Sequence, residues 1–471
     1  MSSAVIQRRI SALPNALEPL NEEQYPVMNA SDYLDRINAL LELGKGLYSH
    51  YVIYGDREHF SNVEYLTGYD PRFEECLLIV SENQKPTIVV GNEGPAYAGR
   101  IPYPVNIVIY PTFSLPAQPQ NHNVTLREIF KQAGIDRTAK VGVIGWKMFY
   151  KKVFENYRRC YDLPMFIMQE LLQATDADCL TNATDLMIDN CYGIRHRLSA
   201  KELILCEIAG TKSSRSTYRV LQNLEEGISE LKASSFLHID GDPIIAHPNI
   251  NFGENNFYAL ASPTHTRKLK VGDLVGVGMA YRRSLCHKVS YYVEDESQYN
   301  PDIAEDIRYI YRTYFSAVTA WYQEICEGAT GGQVYAAVKK VVGNLEAFGI
   351  GLNPGHTIHT DEWTNSPFAE NSDEILHSGM AIQCDFTAAF PTKGISVHAE
   401  DGIIIANRAM QEEIRKISPD SFKRMQTRRD FMNNILGIHL APDVLPTSDM
   451  PAVIFPYLRD LRTVLANDVS Y

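Results

Sequence analysis

Basic charge is what this chain is short of. Lys and Arg number 44 against 57 Asp and Glu, a formal net charge of -13, with a pI near 5.5. No basic block interrupts that balance, which excludes nucleic acid and anionic membrane as partners, because both need a compensating patch of positive charge. No apolar run is long enough to span a bilayer and no apolar leader opens the chain, so the expected location is the cytoplasm. The eight cysteines contain no C-x-x-C pair, which removes zinc-ribbon and disulfide-scaffold readings and predicts reduced thiols. Walker and dinucleotide fingerprints are missing from the first 165 residues, and the second half shows no internal repeat.

What is present suits packed globular domains: 471 residues, 45% hydrophobic and 10% aromatic, enough for two or three. Residues 1–30, with Pro14, Pro19 and Pro26, read as an extended arm. In 31–165, a helix with Leu34, Ile37, Leu40 and Leu41 at helical spacing precedes strand-like runs at 51–54, 76–80, 87–90, 105–110 and 140–145, with another helix at 125–133. Strands alternating with helices predict an α/β domain. Residues 166–198 read as a connecting helical segment. The stretch 199–410 opens on a helix with Ser199 as N-cap and Glu202 at the capping-box position, and carries long helices at 302–327 and 330–348. In 411–471 a charged amphipathic helix, spanning about 410–432, leads into an irregular tail with Pro442, Pro446, Pro451 and Pro456, expected to serve packing or assembly.

The chemistry concentrates in 349–407. His356 follows a Pro-Gly turn, and two apolar strand-like runs, 379–390 and 395–406, carry Asp385 and Glu400. Burying an imidazole and two carboxylates is costly unless they are paired, ligated or used. These three are therefore the candidate catalytic residues, against the plainer reading of a His-carboxylate pair that only ties strands together.

The succession Arg197-Leu-Ser-Ala-Lys-Glu-Leu, Gly253-Glu-Asn through Pro263-Thr, Lys270-Val-Gly-Asp-Leu-Val, Pro354-Gly-His and the two acidic strands resembles the creatinase, prolidase and aminopeptidase P group. Asn62-Val-Glu-Tyr-Leu-Thr-Gly-Tyr and Pro71-Arg-Phe-Glu are similar to that group's N-terminal domain. The resemblance covers roughly 30–410 and implies an α/β N-terminal domain followed by an α+β domain of the pita-bread fold.

The group's metallopeptidases bind two divalent ions through two Asp, one His and two Glu. Carried over by the resemblance, the His falls on His356, one Glu on Glu400 and the other on Asp385. The two Asp positions fall on Gly278 and Lys288, and two histidines used around the scissile bond fall on Leu260 and Trp363. His247 or His265 would replace the first of these if the alignment slips. With a ligand missing and a cation in place of another, the expectation is a His-Lys-Asp-Glu cluster in which Lys288 neutralises Asp385 and Glu400, with no metal ligands and no cofactor; the alternative is a single weak Mn, Co or Zn ion on His356, Asp385 and Glu400.

Function is then expected to be metal-independent hydrolysis of a C-N bond in a small nitrogenous molecule, as the resemblance to creatinase implies. His356 would be the acid/base group, and Lys288, Trp363 and Arg72 would contact substrate. Arg72 and His59 reach the site across a homodimer if this chain follows the group; otherwise they belong to a surface ion-pair cluster. The alternatives are an Xaa-Pro aminopeptidase or dipeptidase with a reduced metal site, and a non-catalytic binding protein. Expected partners are a small molecule or short peptide and a second copy of the chain.

Overall fold

A computed structural model describes residues 4–15, 18–121, 124–258 and 260–468. The chain divides into two units, one of residues 27–196 and one of 1–26 with 197–471. Strand β1 (Val5–Arg9) belongs to the second. The first holds β2 (His50–Gly55), β3 (Cys76–Ser81), β4 (Gln84–Val90), β5 (Asn106–Ile109), β6 (Val141–Ile144) and β7 (Leu180–Asn182), in one mixed sheet of order β5-β4-β3-β2-β6-β7.

Both faces of that sheet are covered, so its strands are apolar on both sides. Tyr51, Ile53, Leu78 and Ile88 pack with Ile37 and Leu40 of the helix Ala30–Leu43. Val52, Leu77, Val89, Val141 and Val143 face Phe130, Ile167 and Leu171. Asn29 and Asp32 form a capping box on the first helix, and Thr125 with Glu128 forms one on Leu126–Gln132. The unit runs on past residue 165. Helix Met165–Ala174 turns Ile167, Met168 and Leu171 into the core, and β7 pairs in parallel with β6, so 166–196 extends this domain rather than connecting it.

The second unit is built on an antiparallel sheet of β8 (Asn249–Phe252), β9 (Leu274–Tyr281), β10 (Ser284–Tyr291), β11 (His356–Thr357), β12 (Ala381–Cys384), β13 (Ala388–Phe390), β14 (Ile395–Ile405) and β15 (Val444–Pro446). Its main path is β11-β12-β14-β10-β9-β8, and β13 and β15 also pair with β14. All eleven residues of β14 are buried. Helix Ala200–Gln222 starts in the expected Ser199–Glu202 capping box.

Helix Ala304–Glu324 reaches the loops that will matter. Trp321 donates from Nε1 to the Pro354 carbonyl at 2.6 Å, and the Tyr314 hydroxyl donates to the Phe386 carbonyl at 2.8 Å while accepting from the Ala399 N-H at 3.1 Å. The turn before His356 requires glycine: Gly355 has φ +113°, and a Cβ there would lie 2.6 Å from the Gln383 carbonyl oxygen.

The two ends of the chain are more regular than the prolines suggest. β1 pairs antiparallel with β16 (Thr463–Asn467), so part of the expected N-terminal arm is a strand, and β15 lies within the expected irregular tail. The expected helix over 410–432 is two helices, Arg408–Ile417 and Pro419–Phe431, because Pro419 lacks the N-H needed to continue the first, and the Ser418 side chain accepts from Ser421 N.

The second of these helices is held by buried charge. Arg428, fully buried, bonds Glu207 Oε1 at 2.7 Å and Asp449 Oδ1 through Nε at 2.8 Å; Arg424 donates to Glu207, and Arg215 reaches Asp449 Oδ2 at 2.7 Å. Removing one anion leaves buried guanidinium groups facing each other. Glu207→Ala is expected to cost about 3–5 kcal/mol, measured as a lower urea midpoint; an unchanged midpoint would show that the network does not hold the helix.

Candidate active site

Register decides which side chains meet. In the β9–β10 hairpin His287 lies opposite Gly278, and across β10–β14 His287 lies opposite Glu400, Lys288 opposite Ala399 and Val289 opposite His398. Side chains alternate along a strand, so Glu400 and His398, two apart, share a face with His287, and Lys288 shares the other with Asp401. β12 delivers Asp385 at its C-terminal end, and β11 sets His356 opposite Gln383.

His356 sits at the base of the cluster, with no exposed side-chain surface. Its Nε2 lies 3.0 Å from Glu362 Oε1, 3.7 Å from Asp385 Oδ2 and 3.9 Å from Glu400 Oε1. None of these contacts has hydrogen-bond geometry, which leaves Nε2 a buried polar atom without a hydrogen-bond partner. Its Nδ1 is 3.2 Å from the Thr357 carbonyl, where only an N-H makes a bond. The nitrogen facing three carboxylates is therefore the one left bare in the neutral ring, and the arrangement calls for a cation on it, either a proton or a metal ion. The Trp363 ring stacks on the imidazole, with centroids 4.3 Å apart and planes at 16°.

A second chain of contacts adjoins the first. His398 Nε2 is 3.0 Å from Asp385 Oδ1, and His398 Nδ1 is 2.9 Å from His287 Nδ1. Glu400 belongs to both groups: His356, Glu362, Asp385 and Glu400 each bring one donor atom within 4.8 Å of the others, as do His287, His398 and Glu400.

The electrostatics follow from burial and crowding. Burial opposes a charge on His356, but Glu362, Glu400 and Asp385 hold its pKa well above the ordinary histidine range. Burial and the neighbouring Asp385 push Glu400 well above the carboxylate range. Asp385 goes the other way: although burial raises it, its bond with His398 and the surrounding imidazoles bring it down. Burial, with His398 alongside, depresses His287 to about 3, so this ring is neutral near pH 7.

The structure thus brings His356, Asp385, Glu400 and Trp363 together, and it corrects the expected place of Lys288. The Lys288 ammonium bonds Asp401 and the Met450 carbonyl, the latter at 3.0 Å, on the opposite face of the sheet. It neither neutralises Asp385 and Glu400 nor lines the site, because neighbouring residues of a strand face opposite ways. His287, one residue earlier, faces the cluster instead. Gly278 leaves room for it, since a Cβ there would lie 2.8 Å from His287 Cδ2. Arg72, in the other unit, pairs with Asp70 at 3.2 Å and is half exposed, while His59 pairs with Asp56 at 3.1 Å. His247 contacts the Leu260 carbonyl at 2.8 Å and His265 is exposed; neither belongs to the cluster. Sequence reasoning missed His287, His398 and Glu362. His398 was legible from the two-residue period about Glu400, whereas His287 depends on the register of β10 against β14 and Glu362 on the course of a loop.

Comparison with known proteins fits this frame. Residues 205–407 match metallopeptidase family M24. Solved structures of similar fold include an Xaa-Pro dipeptidase from Bacillus anthracis (15% identity, TM-score 0.60, covering 80% of this chain and 96% of that one). Dipeptidase PepE from Mycobacterium ulcerans matches at 19% identity and TM-score 0.61 over 81% and 95%, and the prolidase from Pyrococcus horikoshii OT3 at 16% and 0.60 over 79% and 95%. No curated protein sequence matches. The match to the M24 model thus covers 205–407, the part of the chain that holds the cluster, and the fold is the pita-bread fold of these solved structures.

Lys288 offers a direct check on the register. Lys288→Met leaves Asp401 buried without its cation and is expected to cost about 3–5 kcal/mol in chemical denaturation, while divalent-metal content stays unchanged. Altered metal content in a variant of unchanged stability would restore Lys288 to the site.

Proposed function

We propose that this protein is a hydrolase acting on a C-N bond in a short peptide or small nitrogenous molecule, with a divalent ion held by His356, Glu362, Asp385 and Glu400. The observation that carries the proposal is the bare, buried His356 Nε2 facing three carboxylate oxygens. One imidazole nitrogen and three carboxylate oxygens are a donor set suited to Zn, Co or Mn. This set supports the metal-assisted reading over the metal-independent one. Such an ion supplies Lewis-acid polarisation of a scissile carbonyl.

The remaining roles fall to the chain's own groups. His398 Nε2-H donates to Asp385 Oδ1 and so aims Oδ2 of the same carboxylate at His356. Trp363 covers one face of the His356 ring and fixes its plane. Glu362, the most exposed of the three acids at 30%, is the one best placed to meet a substrate's cationic amine. The names of the fold relatives, Xaa-Pro dipeptidase and prolidase, make Xaa-Pro dipeptides the first substrates to test. The absence of any C-x-x-C pair in the sequence supports a reducing compartment, and a homodimer is proposed from the family resemblance alone.

One observation favours the metal-independent alternative: the contacts His287–His398–Asp385 also form an unbroken path for a proton. Elemental analysis after incubation with Mn, Co or Zn separates the readings. The expected result is bound metal that falls in His356→Ala, together with Xaa-Pro hydrolysis that chelation abolishes. Negligible metal with hydrolysis undiminished by chelator would overturn the metal-assisted mechanism and leave His356 as the acid/base group.

A further inference from the structure

The two histidines that the sequence alignment passed over are more than neighbours of the first cluster. Across the β9–β10 hairpin His287 stands opposite Gly278, and His398 lies near it on the adjoining strand β14. The residues fit one another. Glycine leaves room for an imidazole lying over the hairpin, and a Cβ at Gly276 would also come within 3.3 Å of His287 Nε2.

The orientation of the rings is that of ligands. His398 uses Nε2-H on the Asp385 carboxylate, which leaves Nδ1 as its lone-pair nitrogen. A carboxylate gripping the far N-H is the usual support of a metal-bound histidine, because it fixes the tautomer and aims the free nitrogen. That nitrogen points at His287 Nδ1, 2.9 Å away. Two imidazole nitrogens bound tetrahedrally to one ion at about 2.0–2.1 Å are about 3.3 Å apart, so a few tenths of an ångström separate this pair from a chelating one. Glu400, opposite His287 on β14, supplies a carboxylate oxygen within 4.8 Å of both.

Resting on the reading of a first ion at His356, we propose that His287 Nδ1, His398 Nδ1 and Glu400 form a second metal position, sharing Glu400 with the first. Two neutral imidazoles and one carboxylate make this position richer in nitrogen than the first, and it therefore favours Zn, Co or Ni over Mn or Mg. The centre is a rebuilt two-ion site in which histidine has taken over what carboxylate would otherwise supply, and its two halves differ in metal preference.

The experiment is metal stoichiometry of the full chain loaded with Zn or Co and then with Mn, by elemental analysis and calorimetry, alongside NMR of the Co form. Two Zn or Co per chain are expected, against one Mn. The Co form should give strongly shifted imidazole N-H signals from His287, His356 and His398, and His287→Gln should remove one ion together with the His287 and His398 signals. His398→Asn is the second variant, should His287→Gln fail to fold, and it is expected to do the same. Glu362→Gln should weaken the other ion and spare this one. A single ion per chain that neither histidine variant affects would overturn the second position while leaving the first standing. A single ion lost with His287 but untouched by Glu362→Gln would sink the first and keep the second. No bound ion at all would sink both and return the His287–His398 contact to a proton-sharing hydrogen bond.

Discussion

The structure of the second unit depends on one strand being buried along its whole length. β14 pairs with β10, β12, β13 and β15, and all eleven of its residues are out of water. Such a strand sorts its side chains strictly between two faces, and here it carries two adjacent acids. Glu400 goes to the face where His356, Asp385 and His287 gather; Asp401 goes to the other, where Lys288 and the Ala452 N-H satisfy it. One carboxylate thereby faces the histidine cluster while its neighbour secures the residues around 448–452 to the sheet. A slip of one residue would exchange the two and bury each among the wrong partners, so the cost of unpaired buried charge helps to fix the register.

Steric fit ties two residues of the β9–β10 hairpin together. Gly278 and His287 face each other across the hairpin, and each makes sense only with the other. The imidazole ring occupies the volume that a side chain at 278 would need, so glycine there is a condition of histidine at 287 rather than a simple loss. The pairing of β10 with β14 places the same His287 directly opposite Glu400.

Much of this was legible in the residues. Capping boxes at Ser199–Glu202 and Thr125–Glu128 set helix starts by local hydrogen bonding that needs no tertiary context. His356, Asp385 and Glu400 stood out because charge in apolar runs demands an explanation. Less legible were features decided by contacts distant in sequence. Lys288 against His287 is a choice between neighbouring residues that composition cannot make. Glu362 enters the cluster through a loop, and helix Met165–Ala174 joins the N-terminal domain because its apolar residues share a core with Val52, Leu77, Val89 and Val143, far back in the chain. Val5–Arg9 becomes a strand only because Thr463–Asn467, at the far end of the chain, pairs with it.

The charges in the cluster lead to a last constraint. Three carboxylates converge on one imidazole nitrogen in a place that water reaches poorly, and the strain shows in their opposed tendencies: Glu400 resists ionising while Asp385, supported by His398, gives up its proton readily. A lone proton on His356 cannot satisfy three acids at once, because Nε2 has a single N-H direction and the oxygens lie on several sides of it. A metal ion has no such limit, since it accepts donors from all around at equal cost. The geometry at His356 is therefore better matched to a cation that binds many donors than to one that binds a single acceptor.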